Sequence, residues 1–144
     1  MRRKRFIVAA CAVVLVTIAQ VLWFWPKAIH QIDYDGISYT RIATELKLGE
    51  FRQSVNAFRS PLISWSIAAV PYSSALQAGK LISVLSFVST LLLLYLLTKE
   101  LWGSRGAALL AVLLFSIARG ISFLCVAFVT PDFLLATLAL GYFV

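Results

Sequence analysis

Acidic residues are scarce in this sequence. Only 6 of its 144 residues are Asp or Glu, against 13 Lys or Arg and 1 His. A lone histidine, His30, offers no metal-ligating set, and its neighbourhood in the chain fits an interfacial role. The 2 cysteines, Cys11 and Cys125, both lie inside apolar runs, which excludes a disulfide or metal framework and leaves inert thiols. There is no phosphate-cradling glycine loop, no HExxH pair and no nucleophile elbow. An alternating strand–helix pattern is also missing, so the α/β sheet of a soluble nucleotide-sugar enzyme has no basis here. Polar sequence in general is short. The chain is 61% apolar where a soluble domain is nearer half, and this points to an integral membrane protein.

Apolar runs long enough to cross a bilayer, about 20 residues each, organise what remains. The first covers residues 6–25. Arg2-Arg3-Lys4-Arg5 stands directly before it, so the positive-inside rule places the N-terminus in the cytoplasm. The run ends in Trp23-Phe24-Trp25, an interfacial aromatic belt rather than a small-residue cleavage site, and Pro26 is expected to end the helix. Residues 75–97 form a second span that returns inward, and Lys99 to Arg105 form a short cytoplasmic turn. Residues 106–129 form a third span, with Arg119 in its outer half where the stem can snorkel. Thr130 caps a fourth helix over 131–144, with Pro131 at its first position and Asp132 in its first turn. This last run is too short to complete a crossing, so the chain reads as the N-terminal portion of a larger transmembrane domain. The net charge of +7 is not gathered on one soluble face, which argues against nucleic-acid binding.

Residues 26–74 make the one extended polar region, an outer loop with two short membrane-surface helices. The first has Asp35 as N-cap and Tyr39, Ile42, Ala43 and Leu46 along one face, with Lys47 in the last turn and Gly49 just beyond. Its other face carries Arg41 and Glu45, spaced for an exposed ion pair. A looser stretch from Glu50 to Arg59 comes next. The second helix opens with Ser60 as cap and Pro61 at the first position and runs to Val70, with Trp65 at an interface and Pro71 closing it. The fold class is therefore all-α: about four transmembrane helices, the last incomplete, with two surface helices in the first outer loop. Counting crossings puts Asp33, Asp35 and Asp132 on the same outer face, from segments far apart in sequence.

Asp33-Tyr34-Asp35 admits two readings. Both carboxylates cap a helix and do nothing more, or one faces a cleft at the membrane surface and takes a proton from an incoming hydroxyl. The order of the pieces then carries a resemblance. A basic tail and one span precede Asp33-Tyr34-Asp35-Gly36. Tyr39 with Ile42-Ala43, Gly49-Glu50-Phe51, Ser60-Pro61-Leu62-Ile63-Ser64-Trp65 and Thr130-Pro131-Asp132-Phe133-Leu134-Leu135 come after it. This resembles the N-terminal part of the GT-C glycosyltransferases of the protein O-mannosyltransferase and aminoarabinose-transferase type.

The resemblance implies a polytopic enzyme that transfers a sugar, with inversion, from a polyprenyl-phosphate donor to an acceptor hydroxyl outside the cytoplasm. It implies an integral protein of the bacterial plasma membrane that works with further helices and needs no certain cofactor and no assigned metal. By position Asp33 or Asp35 matches the family's acidic base and Asp132 a second acidic residue. Lys80 stands where a basic residue meets the donor phosphate, and Arg59 is a second candidate for that contact. This chain has Phe58-Arg59-Ser60-Pro61 where some relatives have a lysine and two prolines preceded by an acidic residue. On this reading the separated chain is inactive, because the rest of the cavity lies elsewhere. The alternative is a non-catalytic membrane subunit or transporter fragment, in which the acids are caps and Lys80 and Arg59 meet headgroups.

Overall fold

The computed structural model describes residues 2–28, 30–54, 61–71 and 74–144 and contains helices and no strand among them. The order is α1 (Arg2–Ala28), α2 (Tyr34–Lys47), α3 (Phe51–Ser54), α4 (Pro61–Ala69), α5 (Ala75–Trp102), α6 (Arg105–Ile117), α7 (Arg119–Ala127) and α8 (Asp132–Phe143). Two stretches are long and apolar enough to cross a membrane, Phe6–Ala28 and Ala75–Trp102; α6 and α8 are apolar but shorter.

The central helix is α5, which contacts α2, α4, α6, α7 and α8. Its buried face is built from small side chains: Ala78, Gly79, Ser83, Ser86 and Thr90, with Phe87 and Leu91 filling the space beside them. Small residues let helix backbones approach where lipid gives no hydrophobic drive between helices. At Gly79 the approach is closest, since a Cβ there would lie 2.9 Å from Val129 Cγ1. Further along, Thr90 Oγ1 and Thr137 Oγ1 lie 3.0 Å apart, and Thr137 donates to the Ser86 carbonyl at 2.9 Å, which ties α8 to α5. Two clusters make the core. Val13, Phe87, Val112, Cys125, Val126 and Phe133 fill the bundle, and Tyr39, Ala43, Ile63, Ile67, Ala78 and Val129 fill the contact of α2 and α4 with α5.

The boundaries differ from expectation at several places. Phe51–Ser54, within the stretch expected as looser, forms α3, and α4 ends at Ala69 rather than Val70. Of four further differences, three have an evident cause. α1 does not stop at Pro26 but continues to Ala28, because a proline this near the end removes only one backbone bond and the Ala28 carbonyl is held from outside by Lys80. α5 runs on to Trp102, and the turn shrinks to Gly103 and Ser104. Gly103 takes the left-handed conformation at φ 62°, and the Ser104 hydroxyl accepts from the Ala107 N–H at 3.3 Å to start α6. The run expected as one helix over 106–129 is broken at Ala118, which is extended at ψ 98°. Ser116 turns its hydroxyl onto the Leu113 carbonyl and Gly120 lies just beyond, a serine–glycine pairing that weakens the helical ladder. Finally, α8 is capped at Pro131 and begins at Asp132, one residue later than expected.

The end of α2 matches its sequence signal. Gly49 has φ 84°, its N–H donates to the Leu46 carbonyl and the Glu50 N–H to the Glu45 carbonyl, the two bonds of a Schellman turn. Tyr39, Ile42 and Ala43 are buried, and Arg41 meets Glu45 at 2.8 Å. The C-terminal Lys47 donates to the Val70 carbonyl and so joins α2 to the end of α4. The expected cap Ser60 lies outside the described residues.

Candidate functional site

The N-cap of α2 is Asp33, not Asp35. Asp33 has extended backbone at ψ 168°, and its Oδ1 accepts from the Gly36 N–H at 3.2 Å. Both aspartates are competent caps by type. The same Oδ1 accepts a second bond, from the Val129 N–H at 3.3 Å, across 96 residues of sequence. Asp35 therefore sits in the first turn of α2, half-buried, where the helix dipole favours its charge. Gly36 makes the convergence possible. A Cβ at that position would lie 2.5 Å from Asp33 Oδ1 and 3.2 Å from Val129 Cβ.

Val129 is three residues before Asp132. The bond from Asp33 thus draws the start of α2 against the segment that leads into α8, where Asp132 stands exposed in the first turn. The acidic residues expected to gather on one side, Asp33, Asp35 and Asp132, belong to two segments that touch at Val129.

Lys80 lies one residue beyond the close contact at Gly79 and is fully buried. Its ammonium donates to three backbone carbonyls: Ala28 at the end of α1, and Val126 at 3.1 Å and Ala127 at 3.3 Å at the end of α7. An ammonium has three protons, and three carbonyl oxygens lie within hydrogen-bond reach of it. Lys80, expected to face a donor phosphate, has its ammonium on these three carbonyls, and a phosphate contact there would require a carbonyl to be released. Lys80 follows directly on Ala78 and Gly79, the small residues against which Val129 packs. Arg59, the other candidate for phosphate contact, lies outside the described residues.

The groups that sequence reasoning missed are Gly36, Gly79 and the main chain of Val129, none of which carries a functional side chain. The detectable signal was Gly79-Lys80 itself, a glycine and a charge adjacent in an otherwise apolar helix. The open concavity lined by Gly49, Glu50, Phe51 and Arg52 involves none of Asp33, Asp35 and Asp132. Among the described residues no three His, Cys, Asp or Glu side chains come together as a metal site would need.

Chemically, the corner offers a carboxylate that accepts from two main-chain N–H groups, a second carboxylate two residues further on, and a buried lysine nearby that holds the ends of two helices. No protein-family model matches the chain, and no curated protein or solved structure is significantly similar to it.

Proposed function

We propose that the chain is the N-terminal portion of a membrane glycosyltransferase that uses a polyprenyl-phosphate-linked sugar as donor and an extracytoplasmic hydroxyl as acceptor. The reading rests on the resemblance in motif order to the GT-C enzymes. The single observation that supports it is the bond from the Val129 N–H to Asp33, which joins the first acidic segment to the one that begins α8.

In this proposal α1 and α5 cross the bilayer, α6 and α7 in series form a broken third span, and α8 begins the fourth. The apolar side chains exposed on α1, among them Val8, Leu15, Leu22 and Trp23, then face lipid. Asp35 is the base. It removes the proton of the acceptor hydroxyl as that oxygen bonds to the anomeric carbon, and the polyprenyl phosphate departs with the electrons of the broken carbon–oxygen bond. Asp33 is a positioning residue, because its Oδ1 already holds two N–H groups. Asp132 supports the corner from α8, and Arg59 is the side chain assigned to the donor phosphate.

The test is transfer activity in the full-length membrane protein, with Asp35→Asn and Asp33→Asn prepared separately. Loss of turnover by about 100-fold or more is expected for Asp35→Asn, in line with removal of a general base, and a smaller loss for Asp33→Asn. Normal transfer by both folded variants overturns the assignment. A second reading, a non-catalytic membrane subunit, is favoured by the two structural bonds that occupy Asp33. It predicts that Asp35→Asn leaves every activity of the assembled complex unchanged.

A further inference from the structure

We infer that Lys80 is a positioning residue that sets the spacing of the two acidic segments by clasping the C-terminal ends of α1 and α7 with one ammonium group. A helix leaves its last four carbonyls without internal partners, and its C-terminus favours a cation. Here two helix ends share the same cation, through Ala28 on one side and Val126 and Ala127 on the other. The acceptors lie 52, 46 and 47 residues from Lys80, so the clasp is wholly tertiary.

What leaves those two ends is the acidic corner. Asp33 comes five residues after Ala28 (33 − 28), and Asp132 five after Ala127 (132 − 127). The short connectors are themselves tied together by Asp33 and Val129. A cation buried in an apolar bundle is costly unless its protons find acceptors, and here three carbonyl oxygens lie within hydrogen-bond reach of it. Removal of the ammonium takes a shared donor from the Val126 and Ala127 carbonyls and leaves the Ala28 carbonyl only the Gln31 N–H, so the two helix ends are no longer joined through one group. A phosphate-binding lysine needs donors turned to an accessible surface, whereas this one is enclosed with its donors engaged.

The clasp stands on geometry alone, and its consequence for transfer rests on the transferase reading. Spin labels on Ile37→Cys and Leu135→Cys, both exposed positions, report the spacing of the two segments in the intact protein in bicelles. Cys11 is exposed and is replaced by serine; Cys125 is fully buried and stays. The expected result is one narrow distance distribution with Lys80 present and at least a doubling of its width in Lys80→Met. A control pair on Val88→Cys and Leu110→Cys, along α5 and α6, keeps its width in both. An unchanged width for the first pair, or equal broadening of both pairs, overturns the inference.

Should Lys80→Met fail to accumulate, the unmodified protein decides. Acetic anhydride treatment and mass spectrometry should find Lys80 modified at least tenfold more slowly than the exposed Lys27 and Lys47, whether or not polyprenyl phosphate is added. Equal labelling, or protection by polyprenyl phosphate, makes Lys80 a ligand-facing cation and sinks the clasp. In the full-length enzyme the clasp predicts a lower kcat for Lys80→Met with the donor KM unchanged, and a raised KM at constant kcat contradicts it. Broadening of the distances in a protein that transfers no sugar would refute the transferase reading and leave the clasp intact.

Discussion

Replacing Asp33 with alanine tests the architecture of the corner most directly, because one oxygen atom carries two separate bonds. Loss of an N-cap carboxylate costs about 1 kcal/mol, with a range of roughly 0.5–2. The second loss is tertiary. Val129 is fully buried, so its N–H is left without a partner, at about 1–3 kcal/mol. The sum is about 2–4 kcal/mol, or roughly a 30- to 1,000-fold change in the unfolding equilibrium. Asp33→Asn keeps an oxygen in the Oδ1 position and should lose much less, since asparagine caps a helix about as well. Asp132→Ala is the control. That residue is exposed at the start of α8, where the helix dipole is worth about 0.3–1 kcal/mol to its charge. Reversible unfolding in mixed micelles, monitored by helical circular dichroism, should give the order Asp33→Ala, then Asp33→Asn and Asp132→Ala close together. If Asp33→Ala falls within about 0.5 kcal/mol of Asp132→Ala, the bond to Val129 contributes nothing and the two acidic segments are not held together by it.

Gly36→Ala should destabilise by about 1–3 kcal/mol through overpacking against Asp33 and Val129, although alanine favours a helix by about 1 kcal/mol. The same unfolding assay checks it, and a stabilised variant would show that α2 and the segment at Val129 are too loosely packed to exclude a methyl group. Gly103 and Gly120 both have open space around them, so backbone conformation rather than steric contact decides the effect of a substitution at either. Gly103→Ala should lower stability by about 1–2 kcal/mol because φ is 62° there, while Gly120→Ala should raise it by up to about 1 kcal/mol as a helical glycine replaced without strain. Thermal unfolding of the two variants side by side checks the opposite signs, and a shift in the same direction for both would contradict them.

What the sequence made legible is what local pattern determines. The apolar face of α2 could be read from the spacing of Tyr39, Ile42 and Ala43, and the glycine beyond its end from the need for a left-handed residue. The Arg41–Glu45 pair came from helical spacing alone. The misplaced features were those decided by distant groups. Asp33 and Asp35 are equal as caps by residue type, and the bond from the Val129 N–H to Asp33 comes from a segment 96 residues away. The break at Ala118 is invisible to hydropathy, because Ser116 competes for a carbonyl without interrupting an apolar run. Lys80 sits near the start of α5, where a snorkelling or ligand-facing cation reads naturally. Its burial depends on helix ends 52 and 46 residues away that no local window contains.

These ties bear on whether the corner is preformed. α8 is fixed to the rest of the fold at two levels that bracket Asp132. Below it, Thr137 and Thr90 join α8 to α5 through their hydroxyls and the Ser86 carbonyl. Above it, Val129 is bound to Asp33, and the chain just before Val129 is held by Lys80. A segment restrained at both ends over about two helical turns has little freedom to swing, so Asp132 keeps one position relative to α5. On the other side, α2 is fixed by its cap at Asp33, by Tyr39 and Ala43 in the core, and by Lys47 on Val70. Hydroxyl pairs between membrane helices are worth only about 0.6 kcal/mol each, so the Thr90–Thr137 tie alone could not hold this arrangement. The stronger restraints are the charged ones, Asp33 and Lys80, and they act on opposite sides of the same short connectors. A corner built this way is preformed, with Asp33 held by two main-chain bonds and Asp132 carried on a helix that is tied on both sides of it.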